Sequence, residues 1–198
     1  MKREAVYRIF SNIPTLETPR LILRRMKVSD SADMYEYARR HEVTAYLSWS
    51  PHPNQDYTRD YLEYVGTHYA MGDFYDWAVI YKENGKMIGT CGFTKLHFLN
   101  NCGEVGYVLN PAYWGQEIAL EALRAVIRFG FENLQLHRIE AKFIRGNAAS
   151  LRVMEKAGMT FEGVQRESML IKNEYRDIGV CSILRDECLT QEKTRSAE

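Results

Sequence analysis

Residues 104–123 read EVGYVLNPAYWGQEIALEAL, and the fold turns on this stretch. Residues 104–109 read as a strand, Pro111 and Gly115 break the pattern, and a helical period follows. Leu120, Leu123, Ile127, Phe131 and Leu134 recur on one helical face, with Glu121, Arg124, Arg128 and Glu132 outside it. A strand that ends at a proline, passes a glycine-containing loop and opens a long helix leaves first-turn N–H groups free at the loop mouth. Such groups bind anions, phosphates above all. Many strand-loop-helix joints carry Gly and Pro, so the flanking sequence has to say more.

Upstream, WAVIY from Trp77, the turn Glu83-Asn84-Gly85-Lys86 and MIGTCGFTKL read as a hairpin closed by Asn-Gly. Residues 21–25 read as an earlier strand. Ser29-Asp30 then offers an N-cap and a first-turn carboxylate for a helix carrying Met34, Tyr35 and Ala38. After Pro51-His52-Pro53, Asn54 caps a second helix, with Tyr57, Tyr61, Tyr64 or Val65, and His68 expected on its core face. A lone histidine on such a stripe reads as packed rather than as a ligand or base. Downstream come a strand at 138–143, a helix at 148–157 stopped by Gly158, and two strands around Asn173. Crossovers demand parallel neighbours and hairpins antiparallel ones. The expectation is α+β: one domain over 1–198, a mixed, mostly antiparallel sheet flanked by helices, with residues 1–12 and 190–198 loosely ordered.

Composition narrows the function classes. The 198 residues are 45% hydrophobic and 26% charged, within globular averages. Twenty-six basic against 26 acidic residues give zero formal charge, which argues against general nucleic-acid binding and against attraction to an anionic membrane. No apolar run approaches the ~20 residues of a membrane span, and the basic N-terminus reaches no signal-peptide core, so a cytoplasmic protein is expected. Cys91, Cys102, Cys181 and Cys188 lack C-x-x-C spacing and read as reduced thiols; no metal site is expected.

Several motifs now combine: Leu16-Glu17-Thr18-Pro19-Arg20-Leu21-Ile22-Leu23-Arg24, Glu42-Val43 to Tyr46-Leu47, Ile88-Gly89, Glu104-Val105-Gly106-Tyr107 and Pro111-x-Tyr113-Trp114-Gly115. Glu121-Ala122, Leu136-His137-Arg138-Ile139-Glu140-Ala141 and Asn147-x-x-Ser150 leading to Glu155-Lys156-x-Gly158 complete the set. Together they resemble the GNAT superfamily of acetyl-CoA-dependent N-acyltransferases, particularly its RimJ/RimL-like branch of ribosomal-protein N-terminal acetyltransferases. The resemblance implies that Trp114, Gly115, Gln116, Glu117, Ile118 and Ala119 form the pyrophosphate loop for acetyl-CoA. It further implies that Asn147 holds the pantetheine and Arg152 reaches the adenosine phosphate. Read without it, Asn147 is a helix cap and Arg152 a solvated charge. The loop departs from the family pattern Q/R-x-x-G-x-G/A at Glu117, where a carboxylate replaces the first glycine.

The same resemblance makes Glu104 the base that takes the amine proton; otherwise it is an exposed strand-end carboxylate. Met154 stands where many relatives carry an acidic tyrosine, so Ser150 becomes the proton donor to the CoA sulfur, unless its hydroxyl is back-bonded within the helix. A main-chain N–H near Val108 or Leu109 is expected to polarise the acyl carbonyl. Tyr46, Trp49 and Tyr107 are candidate acceptor contacts, or equally core aromatics. The expected partner is an amine, a protein N-terminus or a small molecule, met by a monomer or homodimer. A CoA-binding sensor without turnover is the rival reading, motivated by Glu117 and Met154.

Overall fold

The computed structural model describes residues 2–188. One eight-stranded sheet runs β1-β2-β3-β4-β5-β6-β8-β7. It begins as a meander: β1 (Leu16–Glu17), β2 (Leu21–Arg24), β3 (Tyr75–Tyr81), β4 (Met87–His97) and β5 (Cys102–Leu109), antiparallel throughout. Helix α5 (Ile118–Glu132) then carries the chain over to β6 (Arg138–Ile144), which lies parallel to β5. After α6 (Ala148–Lys156), β7 (Thr160–Ile171) and β8 (Glu174–Leu184) form the closing hairpin, with β8 paired to β6. The mixed α+β architecture is the expected one.

Ladder alternation sorts residues between the two faces. Trp77, Cys91 and Tyr107 are partners across β3, β4 and β5 and share the α5 side, where Trp77 meets Phe129 of α5 at 5.3 Å between ring centroids. Asp76, Gly92 and Gly106 are partners on the opposite side. That side is covered by α2 (Ser31–Ala38) and α4 (Gln55–Met71) over the first half of the sheet.

Three expectations need correction. Within the stretch expected to be loose at the start of the chain, α1 (Arg3–Ser11) buries Val6 and Phe10, and the Phe10 ring meets Tyr75, Trp77 and Phe129 at 4.8, 5.5 and 6.1 Å. Val6, Ile9 and Phe10 stand at helical spacing in the sequence, and their docking against the sheet orders the segment. Residues 190–198 lie outside the described residues. Asp30 does not cap a helix through its side chain. It closes a short turn, Val28–Asp30, and its carboxylate takes Arg24 in a two-pronged bond at 2.7 and 2.8 Å and the Lys27 N–H at 2.8 Å. On α4 the buried face is Thr58, Leu62, Val65 and Tyr69, while Tyr57 and Tyr64 are exposed and His68 bonds Asp73 at the rim. Two stripes of similar spacing compete there; the aliphatic one turns inward, and the phenols of Tyr57 and Tyr64 stay wet. The Asn54 cap is observed, its Oδ1 accepting the Tyr57 N–H at 2.8 Å. A short helix, α3 (His41–Thr44), had no sequence signal.

Because Phe10 plugs the base of three rings, Phe10→Ala is expected to cost roughly 3–5 kcal/mol in urea unfolding, the range for a large core aromatic. A loss under about 1 kcal/mol would mean that α1 is not part of the cooperative core.

Candidate active site

The β5–β6 ladder is short. Cys102, Gly103, Glu104 and Val105 pair with Arg138, Ile139, Glu140 and Ala141, and beyond Val105 the register ends. From there β5 stays with β4 and β6 stays with β8, so the two strands part and open a slot between them. Asn110 N–H donates to the Ile88 carbonyl, which fixes the alternation: Val108 points its backbone groups at β4, and those of Tyr107 and Leu109 face the slot. Of the two candidate amides, Leu109 therefore has the right orientation and Val108 does not.

At the open end, Asn110 Oδ1 caps the turn Pro111–Tyr113 through the Ala112 N–H, and the half-exposed Trp114 donates its Nε1–H to the Leu109 carbonyl at 2.8 Å. Gly115 and Glu117 both take left-handed backbone, φ 74° and 60°. Helix α5 makes its first internal bond from the Glu121 N–H to the Glu117 carbonyl, and no side chain caps its start. The amides of Ile118, Ala119 and Leu120 thus lack a helical carbonyl, as anion binding requires.

The loop is clamped from a distance. Glu121 accepts from the Thr18 hydroxyl at 2.6 Å, the Arg20 N–H at 2.9 Å and Arg20 Nε at 2.6 Å, while Arg20 Nη1 reaches the Gln116 carbonyl at 2.9 Å. Burial pushes the Glu121 carboxyl up, but the bonds from Thr18 and Arg20 outweigh it and hold the group below its ordinary value. Two motifs a hundred residues apart are thus one cluster, which their spacing could not show.

Glu117 is turned aside. Its carboxylate bonds Lys156 at 2.5 Å, and that lysine holds it below the usual carboxylate range. The residue keeps the backbone conformation that a glycine would adopt freely, and its charge is directed onto α6 and away from the helix amides.

In the slot, Glu104 accepts from Lys142 Nζ at 2.7 Å and from the Thr94 hydroxyl at 3.1 Å. Tyr107 crosses to α6, where its hydroxyl lies 2.9 Å from Ser150 Oγ and 3.0 Å from the Ser150 carbonyl. Burial pushes the Tyr107 phenol well up, so it stays protonated. Asn147 Oδ1 caps α6 through the Ser150 N–H at 3.1 Å. Met154 is buried in the core, so its position supplies no acid. The Tyr46 ring lies 3.8 Å from the position a Cβ on Gly146 would take, beside Asn147. Trp49 packs instead on His52, 5.3 Å between rings, and Arg152 stands exposed on α6 with nothing drawing it to the loop. Beside Glu104 a groove of about 320 Å³ runs over β6, β8 and β7, floored by Glu140 and Lys142. Burial pushes the Cys102 thiol up to about 11 and Cys91 well above its ordinary value. Neither is an available nucleophile at neutral pH. Among the described residues no cluster of His, Cys, Asp and Glu could hold a metal, and no helix is long and apolar enough to cross a membrane.

The family model for the acetyltransferase (GNAT) domain matches residues 20–160. The chain belongs to the GNAT acetyltransferase family. It is 33% identical over 173 residues to p20, an uncharacterized N-acetyltransferase of Bacillus licheniformis, across 87% of this chain and 97% of that one. A GNAT-family acetyltransferase from Bacillus anthracis superposes with a TM-score of 0.78 at 29% identity, covering 87% of this chain and 99% of its own. A ribosomal L7/L12 α-N-protein acetyltransferase solved with coenzyme A shares the fold, TM-score 0.75 at 20% identity over 88% of this chain and 99% of that chain. The protein is therefore an acetyltransferase. Thr94, Lys142, Lys156, Thr18 and Arg20 were not among the residues given a role from sequence, although Thr18, Arg20 and Lys156 lay inside recognised motifs.

Because position 117 is left-handed and its side chain points away, Glu117→Gly should leave the melting temperature unchanged or higher and alter CoA affinity less than tenfold in calorimetry. A gain of several orders of magnitude would show that the native carboxylate excludes CoA.

Proposed function

We propose that this GNAT acetyltransferase takes acetyl-CoA as donor and passes the acetyl group directly to a primary amine, on a small molecule or a protein N-terminus. The observation that carries this reading is the slot itself: strands that part after Val105, helix amides free at one end, and Glu104 and the Tyr107–Ser150 pair in its walls. The coenzyme A bound to the structural relative of the same fold supports the choice of donor. The first-turn amides of α5 and the loop from Trp114 to Ala119 would hold the pyrophosphate, with Asn147 and the exposed Arg152 towards the rest of the cofactor. Acetyl-CoA supplies an acyl group already activated as a thioester.

The chain's own residues then divide the work. Glu104, directed by Lys142 and Thr94, takes the proton that the attacking amine sheds as its nitrogen bonds the acyl carbon. The Leu109 N–H faces the place where the acyl oxygen gathers charge. As the carbon-sulfur bond breaks, Ser150 gives a proton to the leaving sulfur and recovers one from Tyr107, which burial keeps protonated. Tyr46 lines the acceptor side. Tyr107, first considered as an acceptor contact, serves here with the acid. The sensor reading loses its main motive, because Glu117 is neutralised by Lys156.

Three measurements test the proposal. Acetyl-CoA at a hundredfold excess over its Kd should add about 2.7 kcal/mol of stability and raise Tm by a few degrees; no shift at saturation would sink it. Glu104→Gln should lower kcat/KM by ~10² to 10⁴ while leaving CoA affinity unchanged, the usual cost of losing a general base. Wild-type rates in that variant would place the base elsewhere. Ser150→Ala and Tyr107→Phe should each lower kcat with little change in CoA affinity, and the double variant should lose no more than the worse single one.

A further inference from the structure

Asp76 has no part in the chemistry above, yet it lies on the face that carries Glu104. Asp76, Gly92 and Gly106 form one line across β3, β4 and β5, level with the point where the slot opens. Two strand spacings, about 10 Å, separate Asp76 from β5. Both intervening floor positions are glycine. The carboxylate leans into the space this leaves, its Oδ1 2.7 Å from where a Cβ on Gly92 would sit. On the far side, the methyl of Thr94 lies over Gly106, and this is the same Thr94 whose hydroxyl holds Glu104.

The surroundings of Asp76 are unusual for a structural carboxylate. It accepts the Trp77 N–H at 2.9 Å and a bond from Thr90, and among the described residues no Lys, Arg or His pairs with it. Burial pushes its carboxyl up to about 7, although the residue as a whole is only half-buried. Tyr37 of α2 and Tyr61 of α4 stand close enough to Asp76 for its charge to act on both phenols. The Tyr37 hydroxyl is enclosed and has no hydrogen-bond partner. A hydroxyl shut away with nothing to bond is costly, and such costs persist where a ligand relieves them. The carboxylate of Asp76, the hydroxyl oxygen of Tyr37 and the ring of Tyr61 are an acceptor set for an alkylammonium, which offers three N–H donors and a charge that aromatic faces attract.

We propose that Asp76, with Tyr37 and Tyr61, forms a subsite for the second cationic centre of the acceptor, so that the amine acetylated at Glu104 belongs to a small aliphatic diamine or polyamine. The inference rests on the acetyl-transfer reading and names its substrate class. The remote ammonium sits on Asp76 and the glycine floor carries the methylene chain towards the slot. A protein N-terminus, which has no second cation at a fixed distance, gains nothing from this arrangement.

The test uses the full chain with acetyl-CoA and three acceptors: butane-1,4-diamine, butylamine and a tetrapeptide with a free N-terminus. The diamine should be used at least tenfold better in kcat/KM than butylamine. Asp76→Asn should raise KM for the diamine tenfold or more and leave KM for butylamine and kcat at saturation within about twofold. Tyr37→Phe removes an unpartnered hydroxyl, so a purely structural role predicts an unchanged KM and an unchanged or higher Tm; the subsite predicts a diamine KM raised three- to tenfold at that same Tm. Equal use of the two amines, preference for the peptide, or a diamine KM indifferent to both variants overturns the inference. Calorimetry of butane-1,4-diamine against the protein in the presence of CoA separates this failure from that of the donor reading. Binding weakened by Asp76→Asn upholds the subsite even if no acetylation is seen, and no binding overturns it even if other amines are acetylated.

Discussion

Four residue pairs hold β5 to β6, and then the ladder stops. Continuous pairing would have satisfied the backbone of both strands and left nowhere for a thioester to lie between them. By letting β5 follow β4 and β6 follow β8, the sheet spends a few backbone bonds and gains an internal cleft with main-chain groups already facing it. Tyr107, Leu109 and Glu104 take their positions from this divergence, since ladder alternation decides which of them face the slot and which face a helix. The α5 crossover that a parallel pair requires brings a helix start to the mouth of the same opening. The topology and the free helix amides at the opening thus come from a single constraint.

The charges of the chain cancel globally and are placed locally. Glu104 with Lys142, Glu117 with Lys156 and Glu121 with Arg20 each join elements remote in sequence. Exposed pairs contribute little to stability. Their service is orientation: one directs Glu104, one turns a carboxylate away from the helix amides, and one fastens the loop before α5 to the start of β2. Zero net charge argued against nucleic acid in the sequence, but it said nothing about where these pairs would meet.

Local chemistry was the most legible part of the sequence. The Asn-Gly hairpin, the Asn54 and Asn147 caps, the strand-loop-helix joint at Pro111 and the long amphipathic α5 all depend on residues within a few positions of one another. What stayed hidden depends on third parties. The buried face of α4 was decided by α2 and the sheet, which favoured Leu62 and Val65 over the tyrosine stripe. The docking of α1 was decided by aromatic rings on β3 and α5. Glu117 looked like a charge set against a phosphate because Lys156, 39 positions away, could not be seen beside it. Asp76 gave no signal at all, since its meaning comes from two glycines on neighbouring strands and two phenols on separate helices.

The bond from the Trp114 indole to the Leu109 carbonyl gives the molecule a built-in optical gauge. Trp77 is sealed in the core and Trp49 rests on His52, whereas Trp114 stands half in solvent with its ring nitrogen tied to the rim of the slot. A ligand that enters the slot would change the solvation of that ring and the bond that holds it. The resulting change in emission would report the state of the slot in real time without attaching a dye.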